Sequence, residues 1–281
     1  GSSCRFFRRV HRTVILWLAL WTGCATNPAT HFFAYTLSED EGHTIQPREI
    51  PALSDPERMK GDLGTIWSGG AITAPSLTAE ELVLTYVEGR PLGVLYTVVD
   101  GVAQPLDRAG LTLFSFYGHL GDAETLLSEA GVDLSDVFPL DAAVAPVVPD
   151  IAMAIQPAEN AAYVSTAHTF ILLDDLIEKE VPLAANAGIV FHEFAHALFQ
   201  LRTVGDPYAP GLTGDTAQSL GIASLNEGFA DSVASLLSGR SNFIADSLDL
   251  PTRDVSGDWL AKDVDPLPHQ VGEDASSQLL Y

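Results

Sequence analysis

Cysteine is nearly absent. The 281 residues hold two, Cys4 and Cys24, both near the N-terminus. That excludes a disulfide framework and any cysteine-built zinc site. Bases are scarce as well: 14 Lys and Arg stand against 37 Asp and Glu, for a net charge of −23. Residues 1–23 carry four of those bases (Arg5, Arg8, Arg9, Arg12) and no acid, so the remainder stands at −27. A surface of that sign repels phosphate backbones and argues against nucleic acid as a partner. Charged residues are only 18% of the chain and hydrophobic residues 47%, which excludes a disordered chain. The length accommodates one or two domains with a sizeable core. There is no internal repeat.

The N-terminus has its own pattern. Residues 5–12 (RFFRRVHR) are basic, and Val14–Trp21 (VILWLALW) is apolar. That run is shorter than the roughly 20 residues that span a bilayer, but it fits the core of a signal peptide over 1–23. Thr22-Gly23-Cys24 follows and resembles a bacterial lipobox, in which the cysteine is lipidated. Trp21 departs from the small aliphatic residue usual at the first position of that box. An ordinary signal peptide, cut near Ala25 or Ala29, is the alternative. Either way the pattern implies export, to a bacterial envelope with a lipid anchor on Cys24 or to the outside. Gly1 in place of an initiator Met reads as the start of a fragment.

Residues 24–75 mix Pro, Gly, Thr and acids without period and read as a tether of irregular structure. Residues 76–109 read as β-rich. There Glu81–Glu88 and Val94–Val99 form one expected hairpin around Gly-Arg-Pro-Leu-Gly. Leu111–Tyr117 (LTLFSFY) is strand-like, Asp122–Ala130 a short helix stopped by Gly131, and Tyr163–Leu173 a strand ending at Asp174-Asp175. His119 and His168 read as packed structural histidines, and His31 and His43 as tether residues. From Ala184 the period becomes helical, with Ile189, Val190, Phe191, Ala195, Leu198 and Phe199 on one stripe. A Gly/Pro-rich loop over 205–223 is followed by a second helix, Ser224–Leu237, and a third expected over Val271–Tyr281. The chain stops inside that last helix, which implies a missing C-terminal part.

The first of these helices carries His192-Glu193-Phe194-Ala195-His196. Four residues advance about 400°, so both imidazoles leave one face a turn apart and their nitrogens can meet one zinc ion at about 2 Å. Glu193 stands beside them as a general base toward water. Two histidines do not complete a zinc site. Glu227, 31 residues beyond His196, lies on the second helix with Asp231 at i+4. One carboxylate can ligate while the other orients an imidazole. Solvent-facing histidines and a solvated acidic face are the bland alternatives, and the apolar residues around both segments speak against them.

The pair HExxH and ExxxD resembles the gluzincin zinc metallopeptidases, with the thermolysin and fungalysin branches the nearest likeness. Gly188–Leu198 looks like their first active-site helix and Asn226–Asp231 like the second. Two fainter likenesses keep the family's order over about residues 110–281. Asn160-Ala161-Ala162-Tyr163 resembles the start of the edge strand that pairs with substrate backbone. His269-Gln-Val-Gly-Glu273 resembles the segment bearing a transition-state histidine. The resemblance implies a catalytic domain over 110–281, incomplete at its C-terminus, with an α+β fold. A mixed sheet would set an edge strand over the HExxH helix, with a helical lobe beyond the cleft. It implies one Zn2+ on His192, His196 and Glu227, with Asp231 orienting His192. Glu193 would be the base, His269 and Tyr208 oxyanion donors, and Asn160 and Ala161 substrate contacts. An exposed loop tyrosine is the alternative for Tyr208.

The gap between His196 and Glu227 is longer than usual in those branches. The exopeptidase Gly-x-Met-Glu-Asn signature is missing, which favours an endopeptidase acting on peptide or protein substrates. A non-catalytic envelope lipoprotein using the fold as a binding module remains the alternative from another class. The presence of Glu193 is what separates the two.

Overall fold

A computed structural model describes residues 31–38, 41–78, 81–147, 161–172, 180–204, 217–248 and 255. The leader with Cys24, Asn160, Asp174-Asp175, Tyr208, His269 and the helix expected over Val271–Tyr281 lie outside them. The described residues form a mixed α+β fold with several sheets and three α-helices.

Residues 31–75, expected as part of an irregular tether, form strands instead. These are β1 (His31–Ser38), β2 (Gly42–Glu49), β3 (Lys60–Gly61), β4 (Gly64–Ser68) and β5 (Ala71–Thr78). Phe32 and Ala34 alternate into the core from β1, as a half-buried strand requires. β2 pairs antiparallel with β1 over eight residues. It is polar and holds Pro47, which suits an outer strand but hides it from a pattern search. The expected hairpin of residues 81–99 also resolves differently. Strand β6 (Glu81–Val87) pairs with β5, and β8 (Tyr96–Val99) pairs with β9 (Val102–Pro105). Short β7 (Arg90–Pro91) lies between them in sequence and joins β4. The first sheet has the order β2-β1-β9-β8.

Leu111–Tyr117 is helical rather than a strand, and is continuous with the helix expected after it. One 22-residue helix, α1 (Arg108–Glu129), covers both. Asp107 caps it by accepting from the Gly110 N–H at 2.8 Å, and Gly131 follows its end at φ +86°. Every residue from Thr112 to Leu120 is buried. A helix enclosed on all sides shows no apolar stripe, so its Phe and Tyr content reads as strand propensity. It packs on β1 on one side and on the helix that carries HExxH on the other.

The second sheet runs β11-β12-β10-β4-β3, where β10 is Asp141–Val144, β11 Ala161–Val164 and β12 Thr169–Leu172. β10 lies parallel to both β12 and β4. The single strand expected over Tyr163–Leu173 is therefore two, folded antiparallel about a 3₁₀ turn at Ser165–Ala167. His168 makes the reversal at φ +45°, a left-handed position usually marked by glycine or asparagine. It is held by Tyr163 O–H at its Nδ1 (2.9 Å) and by Val137 O at its Nε2 (3.1 Å).

Beyond β12 come a 3₁₀ turn at Leu183–Ala185, α2 (Ala187–Phe199), a π turn at Gln200–Val204 and α3 (Ala217–Ser238). One large core joins Phe32, Phe114, Tyr117, Phe170, Phe194 and Phe243. Strand β11 is the edge nearest α2, and α2 packs broadly on α3. No described helix is long and apolar enough to cross a membrane.

Candidate metal centre

Helix α2 begins where Asn186 Oδ1 accepts from the N–H groups of Gly188 (2.9 Å) and Ile189 (3.4 Å). The Asn186 amide is itself held, donating from Nδ2 to Ser247 Oγ at 2.9 Å. The helix is apolar on nearly every side. His192 is 6% exposed and Glu193 8%, and His196 is partly buried. Two imidazoles and a carboxylate in such surroundings require partners.

The partners form a defined set. His192 Nδ1 lies 2.9 Å from Asp231 Oδ1. His196 Nδ1 lies 3.0 Å from Asn226 Oδ1. Both acceptors call for a proton on Nδ1, which leaves both Nε2 atoms as lone-pair donors. Those two atoms face each other at 3.0 Å. Glu227 Oε2 lies 3.5 Å from one and 3.7 Å from the other. Three electron-pair donors thus converge on one point, an arrangement compatible with a bound cation. A single shared proton serves one pair, whereas a divalent cation serves all three. Donors about 2 Å from a tetrahedral ion stand roughly 3.3 Å apart, so the observed triangle fits. The carboxylate of Glu193 completes a group with His192 and His196 whose candidate ligand atoms lie within 4.8 Å of one another.

Glu193 is anchored differently from Glu227. Its Oε2 accepts from the Tyr163 N–H at 2.7 Å, which ties it to the edge strand. Backbone groups alternate sides along an antiparallel strand. The N–H of Tyr163 is thus turned away from β12, and Ala161, two residues back, shares that outer side. Phe243, beyond α3, stacks on the His192 ring with centroids 6.0 Å apart and planes at 21°.

Of the residues expected at the site, His192, Glu193, His196, Glu227 and Asp231 converge, and Ala161 lies on the edge strand. Asn226 stood inside the second motif but had no assigned role. Its position one residue before Glu227, on the helix that meets the HExxH histidines, was the available signal. The Tyr163 amide lay in the expected edge strand but had no assigned role, and Phe243 had no signal, since it reaches the site through packing alone. No protein-family model matches the chain, and no curated protein matches it.

Proposed function

We propose that this protein is a zinc-dependent metalloendopeptidase with a zincin-like fold. The observation that carries the reading is the convergence of His192 Nε2, His196 Nε2 and Glu227 Oε2 beside the separately anchored carboxylate of Glu193. Structural zinc sites are closed by four protein ligands, commonly Cys and His. Three donors plus a neighbouring acid instead suit a site with one open position.

His192, His196 and Glu227 would hold the zinc, with Asp231 and Asn226 fixing the two rings. Bound there, zinc would polarise a substrate carbonyl and acidify water, the chemistry a peptide hydrolase needs. Glu193 accepts the proton of the attacking water as its oxygen bonds to the carbonyl carbon. It then delivers that proton to the amine as the C–N bond breaks. The Tyr163 amide keeps the carboxylate aimed through both transfers. The outward side of β11 at Ala161 suits an extended peptide added as a further strand. Asn160 would extend this contact, and His269 and Tyr208 would supply oxyanion donors. The leader fits a bacterial envelope or secreted enzyme, with Cys24 as a lipid anchor at the membrane.

The test is cleavage of an unfolded protein by wild type and Glu193→Gln at matched zinc content, with and without chelator. Chelator-sensitive cleavage that disappears in the variant supports the reading. A folded, zinc-loaded wild type that cleaves neither an unfolded protein nor a peptide library moves the assignment to a binding module.

A further inference from the structure

The first N–H groups of a helix have no intrahelical acceptor. In α2, Asn186 serves two of them, and the Ala187 N–H is served from outside: it donates to His43 Nε2 at 2.9 Å. The other ring nitrogen of His43, Nδ1, lies 2.6 Å from Asp246 Oδ2. The side chain is 0% exposed. One form of the ring satisfies both contacts, the neutral imidazole with its proton on Nδ1.

The surroundings resist a second proton. From α2, His43 meets only a backbone donor at the positive end of the helix dipole. From α1 it meets the edge of His119, 6.0 Å away between ring centroids. From the segment after α3 it meets Asp246, whose carboxylate is already bound by Arg240 through both oxygens, at 2.6 and 3.1 Å. Burial, the largest influence, pushes the His43 ring down to about 4 against the opposing pull of Asp246.

Asp246 belongs to a segment, residues 240–248, that clasps the start of the metal helix. Phe243 stacks on His192, and Ser247 Oγ accepts from Asn186. The approach is close on both sides of the clasp. A Cβ on Gly42, which sits at φ +71°, would lie 2.9 Å from Asp246 Oδ2.

We propose that His43 is an acid-sensitive pin, whose neutral ring holds the N-terminus of the metal-bearing helix to the 240–248 clasp and whose protonated ring releases it. A proton on Nε2 turns that atom from acceptor into donor, facing the donor of Ala187. It also sets a cation at the positive end of α2. The Ala187 amide loses its acceptor, and the clasp loses one of its ties to the helix it covers. Nothing here requires peptide hydrolysis, so the inference stands or fails apart from the peptidase reading.

Two measurements on the protein as isolated test it. Nitrogen-15 spectra of the ring, assigned through its own backbone, are expected to show His43 neutral, protonated on Nδ1 alone, at pH 7 and still at pH 5. Melting curves then compare wild type with His43→Gln, whose amide can accept from Ala187 and donate to Asp246 but does not titrate. Between pH 6.5 and 4.5 the wild type is expected to lose roughly 5–10 °C more in Tm than the variant. A ring already protonated at pH 6, a proton on Nε2 instead of Nδ1, or parallel melting curves would overturn the proposal. The spectra decide it alone if the variant does not fold.

Discussion

Two Nε2 atoms 3.0 Å apart, with a carboxylate oxygen beside them, form a donor set compatible with a bound cation. Residues at this centre therefore divide by what their loss would leave behind. On the peptidase reading, Glu193→Gln keeps size and the hydrogen bond from Tyr163 but removes the base. Expected is a fall in kcat of about 10²- to 10⁴-fold with zinc content unchanged, read by metal analysis beside kinetics. Asp231→Ala and Asn226→Ala act on the rings instead. Each should weaken zinc affinity by about 10- to 100-fold, measured by competition with a chromophoric chelator. An unchanged affinity in both would mean that packing alone, chiefly Phe243 on His192, orients the imidazoles.

At the scale of elements, helix α2 is held by how closely its neighbours approach. A Cβ on Gly188 would lie 2.6 Å from both the Cβ and the carbonyl oxygen of Phe243. Alanine at a helix interior usually gains up to about 1 kcal/mol over glycine, but overpacking against fixed backbone costs about 1–3 kcal/mol. Gly188→Ala is therefore expected to destabilise, with a lower denaturant midpoint. A gain in stability would show that the clasp yields easily. Helix α1 fills the space behind this helix, and Phe114 in it is 0% exposed. Phe114→Ala should cost about 3–5 kcal/mol by the same measurement. The all-round burial of α1 is also why its first half reads as a strand. Apolar residues at Leu113, Phe114, Phe116 and Tyr117 meet partners on several sides, and neither a period of two nor of 3.6 describes them.

For the molecule as a whole, buried imidazoles set the response to acid. His43, His119 and His168 all titrate below the ordinary value of 6.5, in each case chiefly because burial disfavours the charged ring. In that range the unfolded chain takes up protons that the folded one does not. Stability is then full above about pH 6.5 and declines as the pH falls below it. A second loss follows below the ordinary carboxyl value of 3.8. Burial would raise Asp122 and Asp246, but hydrogen bonds from His119 and Arg48 to the one, and from Arg240 and His43 to the other, outweigh it and hold both low. Melting temperature against pH is expected to fall in these two stages. A profile flat from pH 7 to 4 would contradict the burial of these rings.

The division between sequence and tertiary structure follows the range of each interaction. Spacing within a helix turn is local, so HExxH and ExxxD placed His192, His196, Glu227 and Asp231 on their faces before any packing was known. The helical period after Ala184 and the stop at Gly131 are local in the same sense. Which strand pairs with which is not: the sequence pattern pairs β6 forward with Val94–Val99, and the fold pairs it back with β5. The turn at His168 depends on Tyr163 and Val137, and strand β1 on the core it shares with α1. The role of His43 is the extreme case. Its neighbours in sequence are polar strand residues on an outer edge, and only folding brings Ala187 and Asp246 to the two sides of one buried ring.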